Sequence, residues 1–536
     1  MNNRMHVLLS STAYQNKGAE ALAAYKQTPD GKPLLDAARR AAAGDTVDGD
    51  DLLRRAPDIA EMLPYWDKVD AIIEGYDAVK KAGDDYLPKF ENETNDAYNV
   101  RLNLTKLTNI YSDIIDSLSA KPFEEEISIV DESIPEQIKD FIEDVDGEGN
   151  NITVFASSYF YNAINSSIDW LFVDYPTVDT EQIKTMKDQK AANIKPFWSR
   201  VLARNVLEVR TKKVGGKTVL SYIRILEPGV SEPDRVRIFQ LSDNNRVDWE
   251  LWVKIENTKA GKSQFQLENT GFLSISVIPL VPLVTGRRQG STWKIRPVMR
   301  DAADLQIDLY QQESALKFIS TMSGYPMLAA NGMRPEMQAD GKTPKKINVG
   351  PMIILWGIPD GNGNHGEWKF VQPDAAILTF LEEKIKGTKE DLRELGKQPL
   401  TAQSGNITTI TAGVAAGKSR STVSAWTLAL KDALENALWI TAMYYKLDYE
   451  AQVNVYNEFD NFIDGGEDLN ALSSARQNGD LSRETYWSEL KRRKVLSPEF
   501  DAEDEEERLL NEIPGDPDIE NEDDNSNPER QPGNAV

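Results

Sequence analysis

"AGVAAGKS", Ala412–Ser419, fits the loose form of the phosphate-binding loop, in which Gly or Ala is followed after four residues by Gly-Lys-Ser. A true loop of this kind would make the chain a nucleotide hydrolase built on a parallel sheet. Its backbone N–H groups curl around phosphates, its Lys reaches the β/γ-phosphates and its Ser holds Mg²⁺. The context such a loop needs is a buried apolar strand before it and a helix after it. The helix half is present. Val423, Trp426, Leu430, Ala433, Leu434, Ala437, Leu438 and Thr441 recur at three- and four-residue steps. The strand half is missing, because "QPLTAQSGNITTIT" (Gln398–Thr411) is polar and Thr-rich. Ala412 replaces the first Gly, and no apolar strand ending in Asp offers a metal-side partner. The stretch reads as a flexible loop feeding a long helix.

The rest of the composition narrows the chemistry further. The chain has 536 residues, enough for a large core, with 40% hydrophobic and 27% charged residues. With no cysteine there are no disulfides and no thiolate nucleophiles or ligands. Only His6 and His365 are present, and His365 lies in the turn-like "DGNGNHGE". No cofactor and no catalytic residue set is expected. The "HVLLS" run is too short for an export signal. The longest apolar run, "ISVIPLVPLV" (Ile275–Val284), contains two prolines and falls well below the ~20 residues of a membrane span. The expectation is a soluble protein made in a cytoplasm, with no membrane partner.

Net charge is −25, of which −13 falls between Glu499 and Arg530, with 15 acidic residues against 2 Arg. A chain so charged does not grip nucleic acid through a broad basic face, since neutralising phosphates takes clustered Lys and Arg. It can surround DNA without holding it.

Along the chain the periodicity changes. "NVRLNLTKLTNIYSDIIDSLSAKPF" predicts one helix with Leu102, Leu107, Ile110, Ile114, Ile115 and Leu118 on one side. The acidic segment to about residue 150 reads as a connection, and Trp170–Val173 as a short buried strand. Between about 200 and 285 the period is two, broken by Gly, Pro, Asn and Asp clusters, which predicts an antiparallel meander. Pro279 and Pro282 suggest a sheet edge or exit. A helix with Val298, Ala302, Leu305, Leu309, Leu316 and Ile319 on one stripe follows. "VGPMIILWGIPDGNGNHGEWKFVQP" (Val349–Pro373) reads as two strands joined at the Asp-Gly and Asn-Gly pairs. Asp374 then caps a second amphipathic helix. Residues after Asp501 are mostly Asp, Glu, Asn, Pro and Gly, a composition typical of disorder.

This succession resembles the portal protein of tailed bacteriophages. The likeness is carried by "YLPKFENETNDAYNVRL" with "AKPFEEEISI", "LFVDYP", "KPFWSRVLARNV", "IPLVPLVTGR", "YQQESALKFISTMSGYPMLAANG", "TVSAWTLALKDALENAL" and "NGDLSRETYWSELKRRKVL", in order over residues ~80 to ~510. Residues 1 to about 60 and the acidic tail lie outside it. The resemblance implies an α+β portal-type subunit that assembles as a dodecameric ring and has no enzymatic activity of its own. Its parts would be a wing of N-terminal helices and β meander (1–296), stem helices (297–321 and 374–397) around a β clip (322–373), a tunnel loop (398–411), a long wing helix (412–450), a crown (451–500) and an acidic disordered tail (501–536). Such a ring sits at one capsid vertex of the virion and is assembled in the host bacterial cytoplasm. It passes double-stranded DNA during packaging and ejection. Its implied partners are other copies of itself, the terminase large subunit, head-tail adaptor proteins, and the major capsid or scaffolding protein.

Candidate site residues follow from that division. Lys397, Gln398, Thr401, Gln403, Ser404, Asn406, Thr408 and Lys418 would line or border the channel at the tunnel loop. Small, polar and glycine positions suit a loop that flexes against moving DNA. Lys397 and Lys418 either touch phosphates transiently or are merely solvated. Met352, Ile354, Trp356, Trp368 and Phe370 would form the clip's contact surface, either anchoring a partner or burying against neighbouring clips. The alternatives to a portal are the P-loop ATPase of a packaging motor, which needs the missing strand, and another large virion structural protein.

Overall fold

The computed structural model describes residues 44–131, 133–176, 195–229, 231–242, 244–255, 263–324, 327–334, 336–339, 341–345, 358–359, 366–371, 375–395, 409–457, 467–492, 495–497 and 500–511. The chain divides after Phe459 into two units, and both are built from mixed helix and strand or from helix alone.

In the first unit the order runs through β1 (Thr46–Asp48), α1 (Leu63–Glu74), α2 (Asn95–Leu104), α3 (Ile110–Ala120), β2 (Ser128–Ile129), α4 (Glu136–Ile142) and α5 (Ile152–Ser166). The strands β3 (Ile168–Asp174), β4 (Phe197–Val201), β5 (Val206–Val214), β6 (Lys217–Glu227), β7 (Arg235–Leu241), β8 (Val247–Ile255), β9 (Gln264–Phe272) and β10 (Leu280–Val284) come next. The short hairpin β11 (Arg287–Arg288) and β12 (Ile295–Arg296) leads into α6 (Arg300–Gly324). Beyond it lie β13 (Met327–Asn331), β14 (Met333–Arg334), β15 (Ile358–Pro359), β16 (Glu367–Val371), α7 (Ala375–Leu395) and α8 (Thr409–Tyr444).

β5 to β9 form an antiparallel meander as the alternating sequence predicts, with β1 added at its far edge, but it ends at Phe272, and β10, expected within it, belongs to another sheet. Side chains alternate between faces along a strand, and here both faces find cover. Val209, Ile223, Ile225 and Phe239 join the main core. Leu207, Val236, Trp252, Phe265 and Leu267 pack with Leu52 on the other side. A second sheet, β10–β3–β4, places β3 in the middle, and Ile168–Val173 is buried throughout. Pro282 lies in β10, opposite Trp170. Because β10 is an edge strand, the missing N–H of Pro282 breaks no ladder bond on its open side.

Arg237 of β7 joins the two sheets by pairing with Asp174 at 3.3 Å and Glu227 at 2.8 Å. Trp198 of β4 meets Phe141 and Phe155 edge-on and donates its indole N–H to Thr441 Oγ1 at 2.9 Å. It thereby fixes α8 against the sheet.

Several expectations are corrected. The helix expected across Asn99–Phe123 is two helices, α2 and α3. Thr105 Oγ1 donates to the Arg101 carbonyl, and the Asn109 side chain accepts from Ser112 N, so one helix ends and the next is capped. The acidic segment read as a connection contains α4, whose Ile138 and Phe141 are fully buried. The two amphipathic helices expected at 297–321 and 374–397 occupy Arg300–Gly324 and Ala375–Leu395. The long helix expected from Ala412 begins at Thr409 and ends at Tyr444. Residues 409–411, read as loop, are therefore helical. Of the hairpin expected within 349–373, residues 349–357 and 360–365 lie outside the described residues. Among the described residues Glu367–Val371 pairs with Met327–Asn331, and Ile358–Pro359 with Met333–Arg334.

The second unit holds α9 (Glu467–Gln477), α10 (Arg483–Arg492) and α11 (Ala502–Asn511). Trp487 stacks edge-on against Phe500, and Lys491 Nζ donates to the Phe500 carbonyl. Ala502–Asn511 falls in the segment read as disordered and is helical. Asp501 Oδ1 accepts from Asp504 N at the start, acidic residues fill the first turn, and Arg508 pairs with Glu505 one turn back. Composition counted those acids as charge and overlooked their positions. Residues 512–536 lie outside the described residues.

Candidate assembly and contact site

The site is organised by α6 and α7, which pack on each other. The first half of α6 is tied into the body by a polar seam. Gln306 is fully buried; its Oε1 accepts from both Ile110 N and Tyr111 N at 3.0 Å, while its Nε2 donates to the Thr108 carbonyl at 2.8 Å. One side chain thus satisfies orphan donors at the start of α3. Ser314 Oγ lies 2.8 Å from Thr105 Oγ1; the Thr105 proton goes to the Arg101 carbonyl, so the serine hydroxyl donates across this contact. On the other side, Thr388 Oγ1 of α7 donates to Gln312 Oε1 at 3.0 Å, and Lys389 pairs with Glu313 at 2.9 Å. Around this seam Ala302, Ala303, Ile307, Leu309 and Tyr310 are buried, with Ile385 and Leu392 from α7.

The far half of the pair differs. Among the described side chains of Ala315–Gly324 and Ala376–Lys384 none is buried. Phe380 is 63% exposed and Ile377 45%. On β16, the strand before α7, Phe370 is 62% and Val371 45% exposed, on opposite faces of the strand. Four large apolar side chains, close in sequence and all uncovered, form a feature that a monomer of this chain leaves unpartnered.

Trp368 and Phe370 lie on β16, opposite Ala330 and Leu328. Trp368 is half-buried, and its indole N–H has no hydrogen-bond partner among the described residues. Met352, Ile354 and Trp356 lie outside the described residues, as do Lys397, Gln398, Thr401, Gln403, Ser404, Asn406 and Thr408. Lys418 falls within α8. The structure therefore brings Trp368 and Phe370 together and leaves the tunnel-loop set unplaced.

The phosphate-loop motif is resolved by the backbone. Gly417, Lys418 and Ser419 sit more than a turn inside α8, where N–H groups donate to carbonyls four residues back. Only the first four N–H groups of a helix are free, and in α8 these end at Ala412. The Gly-Lys-Ser amides cannot cradle a phosphate in this conformation. No group of three or more metal-ligating side chains occurs among the described residues, and no described helix is long and apolar enough to cross a membrane.

Sequence reading did not single out Gln306 or Thr388, because both sit on otherwise apolar stripes and their partners are remote in sequence. It also missed Asp169, which is buried in β3 with Arg200 Nε 3.7 Å away. Burial pushes its carboxyl up to about 7, against the partly offsetting Arg200 charge.

Residues 298–445 match the model of a domain of unknown function, DUF4055. The matched stretch runs from just before α6 to the end of α8. No curated protein matches the chain. Among solved structures, the chain is similar to one from the "Neck of native GTA particle computed with C12 symmetry", at 11% identity and a TM-score of 0.33. It is also similar to one from the "Neck of empty GTA particle computed with C6 symmetry", at 11% identity and a TM-score of 0.35. Each likeness covers 75% of this chain and 89% of the other. Both are neck structures of phage-like gene transfer agent particles.

Proposed function

We propose that the chain is a portal-type connector subunit, a non-enzymatic protein that closes into a ring and conducts duplex DNA through one capsid vertex. The observation that carries this reading is the uncovered far half of the α6–α7 pair. Its near half is locked into the body by Gln306, Ser314 and Thr388, so the pair is held rigidly while Phe380, Ile377, Phe370 and Val371 stand in solvent. Neighbouring copies cover such a surface without any change within the subunit. The sequence resemblance supplies the remainder of the reading. It supports a dodecameric ring, with α6 and α7 as stem helices and the strands between them as a clip. It also supports docking of the terminase large subunit and then head-tail adaptors, and contact with major capsid or scaffolding protein in the virion. The acidic body fits a conduit, since strong Lys and Arg contacts along a channel would stall moving DNA.

Native mass measurement and negative-stain microscopy of the purified full chain test the reading. Closed rings with a central hole are expected. A well-behaved monomer at micromolar concentration and physiological salt would sink it.

A further inference from the structure

The hairpin β11–β12 lies at the end of the "IPLVPLVTGR" stretch and has no part in the assembly surface. It stands out by charge. Between Glu268 and Asp301 the sequence contains no acidic residue, yet Arg287, Arg288, Lys294, Arg296 and Arg300 fall within the last part of that interval. In a chain of net charge −25 such a stretch is a local reversal of sign.

The structure sorts these five. Lys294 pairs with Glu61. Arg300 lies over the Tyr65 ring at 5.8 Å. Arg288 stacks on Trp293 at 3.9 Å and donates to the Thr292 and Ser291 carbonyls. Arg287 and Arg296 remain. Both are exposed, they face each other directly across the two-stranded ladder, and neither has an ion pair among the described residues. Like charges directly opposite on an antiparallel pair repel, with Cβ atoms only about 5 Å apart.

A mobile loop would relieve that repulsion by splaying, but this hairpin is held. Thr285 and Gly286 both donate their N–H groups to the Ser167 carbonyl, and Thr285 Oγ1 donates to Ala163 O at 2.6 Å. Trp426 of α8 donates its indole N–H to the Thr285 carbonyl at 2.9 Å. Gly286 is packed so closely that a Cβ there would lie 2.4 Å from Ile295 Cγ2 and 2.8 Å from the Arg296 carbonyl. At the tip, Gln289 N donates to the Lys294 carbonyl, and Thr292 caps Gln289 O through both its N–H and Oγ1. The fold thus presents two uncompensated guanidinium groups, side by side, on a braced platform.

We propose that Arg287 and Arg296 form a contact for the phosphate backbone of duplex DNA. Guanidinium groups pair with phosphate oxygens in a fork geometry that a lysine cannot reproduce. Two such groups per copy give a contact that is independent of base sequence and sensitive to salt, consistent with DNA that must pass and not be held. The choice of DNA over other polyanions rests on the conduit reading above.

The test uses the full chain and a short fluorescein-labelled random-sequence duplex, with polarisation read across a salt series. The wild type is expected to bind at low salt. R287A/R296A should weaken binding and reduce the slope of log K against log salt by about 2, since each phosphate contact contributes about 0.9. R287K/R296K should keep most of the slope, and R287E/R296E should remove binding while leaving the thermal melt unchanged. An unchanged slope in R287A/R296A overturns the proposal, as does a wild type that binds polyglutamate but not DNA, which would mark the hairpin as a dock for acidic polypeptide. Ring formation measured in parallel keeps the two readings apart. Rings without an Arg-dependent slope remove the hairpin contact alone, while an Arg-dependent slope in a chain that never forms rings upholds the contact and removes the conduit.

Discussion

The near and far halves of the α6–α7 pair are made of similar amphipathic helix, yet they reach different ends. In the near half Ala302, Ala303, Ile307, Leu309, Tyr310, Ile385 and Leu392 are buried within the subunit, and the buried polar atoms of Gln306, Gln312 and Thr388 are satisfied by named partners. In the far half the stripe continues but no described side chain is buried, and exposure rises to 63% at Phe380. Amphipathicity alone does not tell a helix whether its cover comes from the same chain or from another copy. The distinguishing mark is the polar residue set into the stripe. Gln306 and Thr388 occur where remote backbone and side chains of the same subunit must be met, and no counterpart is buried in the far half.

The largest effect belongs to the body. Trp198→Ala removes a fully buried ring from between Phe141 and Phe155 and cuts its bond to Thr441. A loss of roughly 3–5 kcal/mol is expected, read by denaturant unfolding. A loss below about 1 kcal/mol would mean that α8 is held to the sheet by other contacts.

Asp169→Asn tests the body in another way. With its carboxyl raised to about 7, the folded chain keeps a proton between pH ~4 and ~7 that the unfolded chain has released. Stability therefore falls as pH rises through that window and is level above it. The Asn variant should flatten this fall and be more stable at pH 8, by at most about 4 kcal/mol. An unaltered pH profile would show that Arg200 fully compensates the charge.

Phe380→Ser with Ile377→Ser addresses the far half. Melting of the isolated subunit should move by no more than about 0.5 kcal/mol, the range of exposed substitutions, while ring formation weakens strongly. Were the melt to fall as it does for Trp198→Ala, this face would be covered inside the subunit, and the contrast between the two halves would vanish.

The meander between Val206 and Phe272 was legible because apolar and polar residues largely alternate and turn residues mark each end. Pro282 correctly announced an edge. The break between α2 and α3 was only partly legible: its caps, Thr105 and Asn109, are local, but Gln306, Glu313 and Ser314, which also hold it, lie about 200 residues away. The pairing of β16 with β13 was not legible for the opposite reason. The Asp-Gly and Asn-Gly pairs are strong local turn signals, and local signals outweigh remote strands when only sequence is read. Of the contact residues, Trp368 and Phe370 lie on a strand as expected, and that strand pairs with β13, a partner that the sequence does not point to.

The smallest expected effect is at Lys418, and it is the one that would most change the account. In a phosphate-binding loop, Lys418→Ala removes the charge that meets the β/γ-phosphates and abolishes nucleotide binding. In α8 the Gly-Lys-Ser amides are already committed to helical carbonyls, so a nucleotide could be bound only if this turn of helix were first unwound. Wild-type protein should show no ATP binding by calorimetry and no turnover above buffer, and Lys418→Ala should melt and assemble as the wild type does. Any consequence should be confined to DNA retention and should be modest, because one phosphate contact is weak and screened by salt. Saturable, Mg²⁺-dependent ATP binding that disappears in Lys418→Ala would show that residues 412–419 leave the helix to form a nucleotide loop, and the far half of α6–α7 would then need a different explanation.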